Sequence, residues 1–185
     1  MGENFGVRMI NGARSPMRDG VHLSADLYLP RAPGPFPTVL LRTPYDNNTL
    51  PNIEKGRRLA NNGYAAVIQD CRGRFDSEGI YYPFVDDGID GYDTQEWIGH
   101  QPWSNGKIGM AGGSYLGWVQ LSSAPYRSEF LTCIAPRVMA ADLFTGLAYR
   151  GGAFQLNIMM TWGMRTSGRT AQSIDFDNWR EAFRI

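Results

Sequence analysis

The sequence predicts an α/β architecture, a mostly parallel β-sheet with helices on both faces. Short apolar runs at 38–42, 64–70 and 130–136 alternate with segments of helical pattern. Strands that are apolar throughout are covered on both faces, and helical crossovers are what cover them. Hydrophobic residues make up 43% of the 185 and aromatic residues 12%, as in a chain that builds a core. That length is one domain's worth, by the usual ~100–200 residues per domain.

The elements follow in order. Residues 21–29 alternate apolar and polar, the pattern of a strand wet on one face. With residues 5–10 they form an antiparallel pair, entered through the turn at Arg18-Asp19-Gly20. Residues 30–37 are a proline-rich connection and 38–42 a buried strand. A helix over 53–62 ends at Gly63, and 64–70 is a second buried strand. Residues 86–98 read as a helix whose acidic start (Asp86, Asp87, Asp90, Asp93) is solvated and favoured by the macrodipole. A buried strand over 106–112 leads to a helix over 118–124, which Pro125 stops. Residues 130–136 are the next strand. Beyond Ala140 the chain turns helical, Met-rich and aromatic, as at 154–164, and no further strand is expected.

The segment Gly112-Gly113-Ser114-Tyr115-Leu116-Gly117 puts a serine on the turn between the strand over 106–112 and the following helix. Such a turn strains the serine and crowds the backbone around it, which glycines relieve. The common form is G-x-S-x-G; here the spacing is G-x-S-x-x-G. The helix N-terminus directs its free N–H groups and positive dipole end at the serine. Ser114 is the candidate nucleophile, and the Tyr115 backbone N–H is placed to stabilise an oxyanion. A tight glycine turn with an incidental serine is the bland alternative.

Sites in open α/β sheets form beyond the carboxyl ends of the strands. Parallel strands bring Ser114, Thr43-Pro44-Tyr45-Asp46 and the loop at 70–74 to one edge. No HGGG-type donor sequence is present. Tyr45 could supply a phenol O–H in its place, or simply pack the loop; position alone leaves both open. Arg72, Arg74, Asp76 and Glu78 fit ion pairs that stiffen the neighbouring loop. The stretch 159–164 is either core or the lining of an acyl pocket.

Taken together, Thr43-Pro44-Tyr45-Asp46, residues 67–79, Gln101-Pro102-Trp103-Ser104 and residues 109–117 closely resemble the bacterial cocaine-esterase and X-Pro dipeptidyl-peptidase-like hydrolases. The resemblance runs from about residue 8 to 165. It implies an α/β-hydrolase fold with a helical cap and a C-terminal jelly roll, and cleavage of acyl esters, amides or X-Pro peptides. On this basis residues 1–139 are the N-terminal part of the hydrolase domain. Residues 140–185 begin the cap, the fold being truncated within it. Ser114 becomes the nucleophile, Tyr45 and the Tyr115 N–H the oxyanion hole, and Trp162 an aromatic of the acyl pocket.

The family's triad Asp and His lie after the cap, outside this chain. The two histidines, His22 and His100, precede the elbow, and His100 enters at the opposite end of the sheet. Asp142, Asp175 and Asp177 are cap residues that no motif ties to a triad. Little esterase activity is therefore expected of residues 1–185 alone. The rivals are an acyltransferase or amino-acid ester hydrolase, and a non-catalytic module that binds acyl compounds.

Lys and Arg balance Asp and Glu at 18 each, so no basic face for nucleic acid is implied. No run approaches the ~18 apolar residues of a membrane span, and no signal-peptide core stands at the N-terminus, so a cytoplasmic location is expected. Cys71 and Cys133 are read as free buried thiols. No metal spacing or cofactor motif occurs. An unpaired sheet edge predicts association with a second copy.

Overall fold

The computed structural model describes residues 5–166. The chain divides into two compact units, up to Ala141 and from Asp142. The first unit is built on a six-stranded sheet in the order β1-β2-β4-β3-β5-β6. Its strands are β1 (Val7–Pro16), β2 (His22–Pro30), β3 (Phe36–Thr43), β4 (Ala65–Asp70), β5 (Ser104–Gly113) and β6 (Leu131–Arg137). β3, β4, β5 and β6 run parallel; β1 and β2 form the antiparallel end. Helices α1 (Leu50–Asn61), α2 (Asp87–Gly99) and α3 (Tyr115–Ser123) supply the crossovers.

Alternation along β3 shows how both faces are covered. Val39 and Leu41 point to the α1 face, into a cluster with Tyr28, Ala66, Ile68, Ile53, Leu59 and Ala60. The approach is close: a Cβ on Gly56 of α1 would fall 2.4 Å from the Tyr28 ring. Arg42 points the other way. It is fully buried, its Nε donates to Gln69 Oε1 at 2.8 Å and its Nη1 to the Asp87 carbonyl of α2 at 2.7 Å. α3 joins α2 on that face through Gln95 Nε2 and Ser123 Oγ (3.2 Å). The predicted fold class holds: a mostly parallel sheet with helices on both faces.

Several expectations are corrected. β2 is not wet on one face; Ser24, Asp26 and Tyr28 are buried. β2 lies between β1 and β4, the Tyr28 side of it is covered by α1, and the Asp26 carboxylate accepts the Gly12 N–H at 2.9 Å. The acidic start of α2 is not all solvated either. Asp87 and Asp90 are buried, and Asp90 meets Arg72 at 2.6 Å and Arg42 at 3.8 Å. Arg72 pairs with Asp90 and Asp19 rather than with Asp76 or Glu78. Cys71 is a buried free thiol, but Cys133, on β6 at the end of the described sheet, is exposed.

The second unit holds a π-helical turn (Phe144–Ala148), a two-residue hairpin of β7 (Tyr149–Arg150) and β8 (Ala153–Phe154), and helix α4 (Leu156–Thr166). The hairpin corrects the expectation of no strand after Ala140. Its turn carries Gly151 and Gly152, both at positive φ (59° and 83°), the conformation a two-residue hairpin needs. Asp175 and Asp177 lie outside the described residues.

Candidate active site

The chain reverses its direction of travel across the sheet between β3 and β5. From β3 it crosses to β4 on one side; from β4 it returns past β3 to β5 on the other. Binding crevices form at such switch points, outside the carboxyl ends of the strands. The ladder confirms an opening there. β3 and β5 stay in register only up to Leu40 and Met110, although the strands continue to Thr43 and Gly113. Tyr45 follows the end of one strand and Ser114 the end of the other.

Ser114 is exposed and stands between β5 and α3 with φ 56° and ψ −127°. A serine held at positive φ is strained by about 1–3 kcal/mol, and such strain persists only where neighbours enforce it. Here they do. The Ser114 N–H donates to the Arg137 carbonyl of β6 at 2.9 Å, and its own carbonyl accepts the N–H groups of Gly117 (2.7 Å) and Trp118 (3.1 Å). The glycine spacing has a steric cause. Gly112 sits at φ 146°, and a Cβ there would fall 2.4 Å from Leu116 Cβ. At Gly117 a Cβ would lie 3.0 Å from Met139 Cβ and 3.2 Å from the Arg137 carbonyl. The second glycine is needed where α3 passes the end of β6, which is why it comes three residues after the serine. Tyr115 opens α3, so its N–H is the first of the helix.

The Tyr45 loop is held at several points. Tyr45 N–H donates to Thr43 Oγ1 (3.0 Å), Arg74 Nε to the Pro44 carbonyl (2.8 Å), and the Asn47 N–H to Asp70 Oδ1 (2.8 Å). Arg74 is buried, with its guanidinium over the rings of Phe75 and Tyr81. Arg74 thus stiffens the loop as expected, through a carbonyl and two rings. The Tyr45 ring meets the Tyr115 ring edge-on, centroids 6.4 Å apart at 75°. The sequence placed Tyr45 and Tyr115 on one edge; the structure brings their rings into contact.

Asp70 begins the 70–74 loop expected at this edge, but the burial of its carboxyl was not foreseen, and Asp87 was missed as part of this region. Burial pushes Asp70 up to about 8, the nearby carboxylates of Asp46, Asp76 and Asp26 add to the shift, and the Asn47 N–H opposes it. Burial also raises Asp87, against the pull of Arg42 and the Tyr115 hydroxyl that donates to it at 2.6 Å. Arg42, a charge inside an apolar run, was the available signal for a buried counter-charge.

Neither histidine is near Ser114. His100 Nδ1 lies 2.8 Å from the Glu96 carbonyl and its ring packs on Phe130, whose carbonyl accepts the Ile108 N–H. Six residues of β5 at ~3.3 Å each put that end about 20 Å from Ser114. His22 does reach the carboxyl-end edge, because β2 runs antiparallel to β4, but it stands three strands from β5, about 14 Å at ~4.8 Å per strand. Its Nδ1 faces Glu78 Oε2 at 3.5 Å. In the second unit, Trp162 is half-buried on α4, and Asp142 caps a turn by accepting the Phe144 N–H and the Thr145 hydroxyl. Among the described residues no cluster of His, Cys, Asp or Glu could hold a metal, and no helix is long and apolar enough to cross a membrane.

Comparisons with known proteins agree with this architecture. The chain is 43% identical over 152 residues to the cocaine esterase of Rhodococcus sp. (strain MB1 Bresler), an alignment covering 80% of this chain and 26% of that protein. It therefore spans about a quarter of that relative. An α-amino acid ester hydrolase structure superposes with a TM-score of 0.74 at 27% identity, over 91% of this chain and 31% of that one. A CocE/NonD family hydrolase from Staphylococcus aureus shares the fold with a TM-score of 0.77 at 23% identity, over 96% of this chain and 36% of that one. The profile of the X-Pro dipeptidyl-peptidase (S15) family matches residues 19–184. With an α/β-hydrolase sheet, a strained serine at its switch point and this match over nearly its whole length, the chain belongs to the X-Pro dipeptidyl-peptidase (S15) family.

Proposed function

We propose that this chain carries the nucleophile and oxyanion donors of a serine hydrolase that cleaves acyl ester, amide or X-Pro peptide bonds. The observation that carries it is Ser114, exposed and at positive φ between β5 and α3. Ser114 Oγ attacks the substrate carbonyl and a histidine outside residues 1–185 takes its proton, oriented by an aspartate also outside them. The negative charge that develops on the carbonyl oxygen is met by the Tyr45 O–H and the Tyr115 N–H. Collapse expels the alcohol or amine and leaves the acyl group on Ser114, which water then releases. Family resemblance assigns residues from about 140 to the cap and Trp162 to the acyl side of the substrate. The similarity to an α-amino acid ester hydrolase supports α-amino acyl esters as one substrate class; transfer to an amine or alcohol in place of water is the alternative, and product analysis with added nucleophile distinguishes the two.

Since neither His22 nor His100 reaches Ser114, residues 1–185 expressed alone turn over little or no ester. The test is hydrolysis of p-nitrophenyl acetate by the full-length protein, by Ser114→Ala and by residues 1–185. Activity in the full-length protein only supports the proposal. Equal activity in Ser114→Ala refutes the nucleophile, and robust Ser114-dependent activity in residues 1–185 refutes the external base.

A further inference from the structure

The two proposed oxyanion donors come from strands that have parted. β3 and β5 lose their mutual register after Leu40 and Met110, so no ladder bond between them fixes Tyr45 relative to Tyr115. Side chains must do it, and those of Asp87 and Tyr115 are arranged for the task. The Asp87 carbonyl accepts Nη1–H of Arg42, one residue before the end of β3 (2.7 Å). The Asp87 carboxylate accepts the Tyr115 hydroxyl at 2.6 Å. One residue, the first of α2, is thus bonded to Arg42 near the end of β3 and to Tyr115 at the start of α3, just past β5.

Tyr115 completes the connection. Its hydroxyl also accepts the Phe84 N–H at 2.9 Å, and its buried ring lies 4.9 Å from the Phe84 ring. The same ring meets Tyr45 edge-on. Burial holds the phenol well above its usual range, so it remains a donor throughout the working pH range. An O–H donor to a carboxylate at this length is among the stronger hydrogen bonds of proteins.

We propose that the Tyr115 hydroxyl and Asp87 form a positioning pair that sets the spacing of the oxyanion hole: Tyr115 contributes its backbone N–H to the reaction and its side chain as the strut between Tyr45 and α2. The inference rests on the acyl-transfer role of Ser114. Tyr115→Phe keeps the ring and the backbone N–H and loses the hydroxyl's bonds to Asp87 and to the Phe84 N–H. A shift of the donors by about 1 Å can cost up to about 100-fold in rate.

The test is kcat and KM for p-nitrophenyl acetate in the full-length protein, with folding followed by circular dichroism. Tyr115→Phe should lower kcat by about 10- to 100-fold with KM unchanged, and Asp87→Asn should lower it in the same direction. The double variant should be no worse than Tyr115→Phe alone, since the bond that Asp87→Asn weakens is already gone in Tyr115→Phe. Asp93→Asn, which cuts only the exposed Arg18 pair on the same helix, should leave kcat unchanged. Wild-type kcat in Tyr115→Phe, or losses that multiply in the double variant, overturns the pairing. If Tyr115→Phe fails to fold, Asp87→Asn decides by the same criterion. A wild-type protein that neither turns over ester nor labels at Ser114 overturns the acyl-transfer role, and this inference with it.

Discussion

Substituting the three elbow glycines one at a time by alanine should give a graded series, because each meets a different obstacle. At Gly112 the added Cβ falls 2.4 Å from Leu116 Cβ, with Leu116 Cδ2 at 3.1 Å and Cγ at 3.3 Å. Leu116 Cβ is fixed to the first turn of α3 and cannot rotate away. The φ of 146° adds a backbone penalty of about 1–3 kcal/mol, and overpacking adds about 1–3 kcal/mol more. Gly112→Ala should therefore cost about 2–6 kcal/mol, a large share of the about 5–15 kcal/mol typical of a folded domain. At Gly117 the obstacles stand at 3.0 and 3.2 Å, and alanine's better helix propensity, about 1 kcal/mol, offsets part of the overpacking. At Gly113 the nearest atom is 3.4 Å away, an ordinary contact, so alanine should change stability by less than about 1 kcal/mol. Urea unfolding measures the series. With a slope of about 1–3 kcal/mol per molar, Gly112→Ala should lower the midpoint by at least about 0.7 M. A neutral Gly112→Ala, or a Gly113→Ala as damaging, would refute the steric account of the elbow.

Other outcomes follow from the same geometry. Tyr45→Phe in the full-length protein should lower kcat by about 10²–10³ and leave KM similar; an unchanged kcat removes Tyr45 from the mechanism. Arg42→Met should cost about 3–5 kcal/mol in a thermal melt, because the Asp87 carbonyl and Gln69 lose their donor and Asp90 loses one of two cations; a change under about 1 kcal/mol would contradict that. Asp70 binds its proton up to about pH 8 when folded but releases it near 3.8 when unfolded. The folded state therefore holds the extra proton between those values, and stability falls as pH rises through that window, by up to about 1.4 kcal/mol per unit. Asp70→Asn, which keeps an acceptor for the Asn47 N–H, should flatten the decline of Tm between pH 5 and 8; an unchanged slope would show that Asp70 is not its source.

What was legible in the sequence was local. The elbow could be read because crowding at a strand-to-helix turn is met by glycines a few residues away; the shifted second glycine was read only as a variant spacing, and its cause, α3 passing the end of β6, lies in the tertiary structure. The parallel strands could be read because burial on both faces leaves no polar alternation. What escaped depends on partners distant in the chain. β2 looks half-wet because its polar residues alternate, yet β4, placed beside it only by the topology, and α1 complete its burial. Asp87 and Asp90 look like a solvated helix start because carboxylates are rarely buried unless paired. Their partners, Arg42 and Arg72, come from two other strand ends. Tyr115 was read for its backbone alone, since nothing in the sequence foretells that its hydroxyl meets Asp87.

The central claim is that Ser114 is the acylated residue. Incubation of the full-length protein with a fluorophosphonate, followed by peptide mass spectrometry, tests it most directly. The account predicts one adduct per chain, on the peptide containing Ser114, and none in Ser114→Ala. An adduct on another serine, or equal labelling of Ser114→Ala, would contradict it.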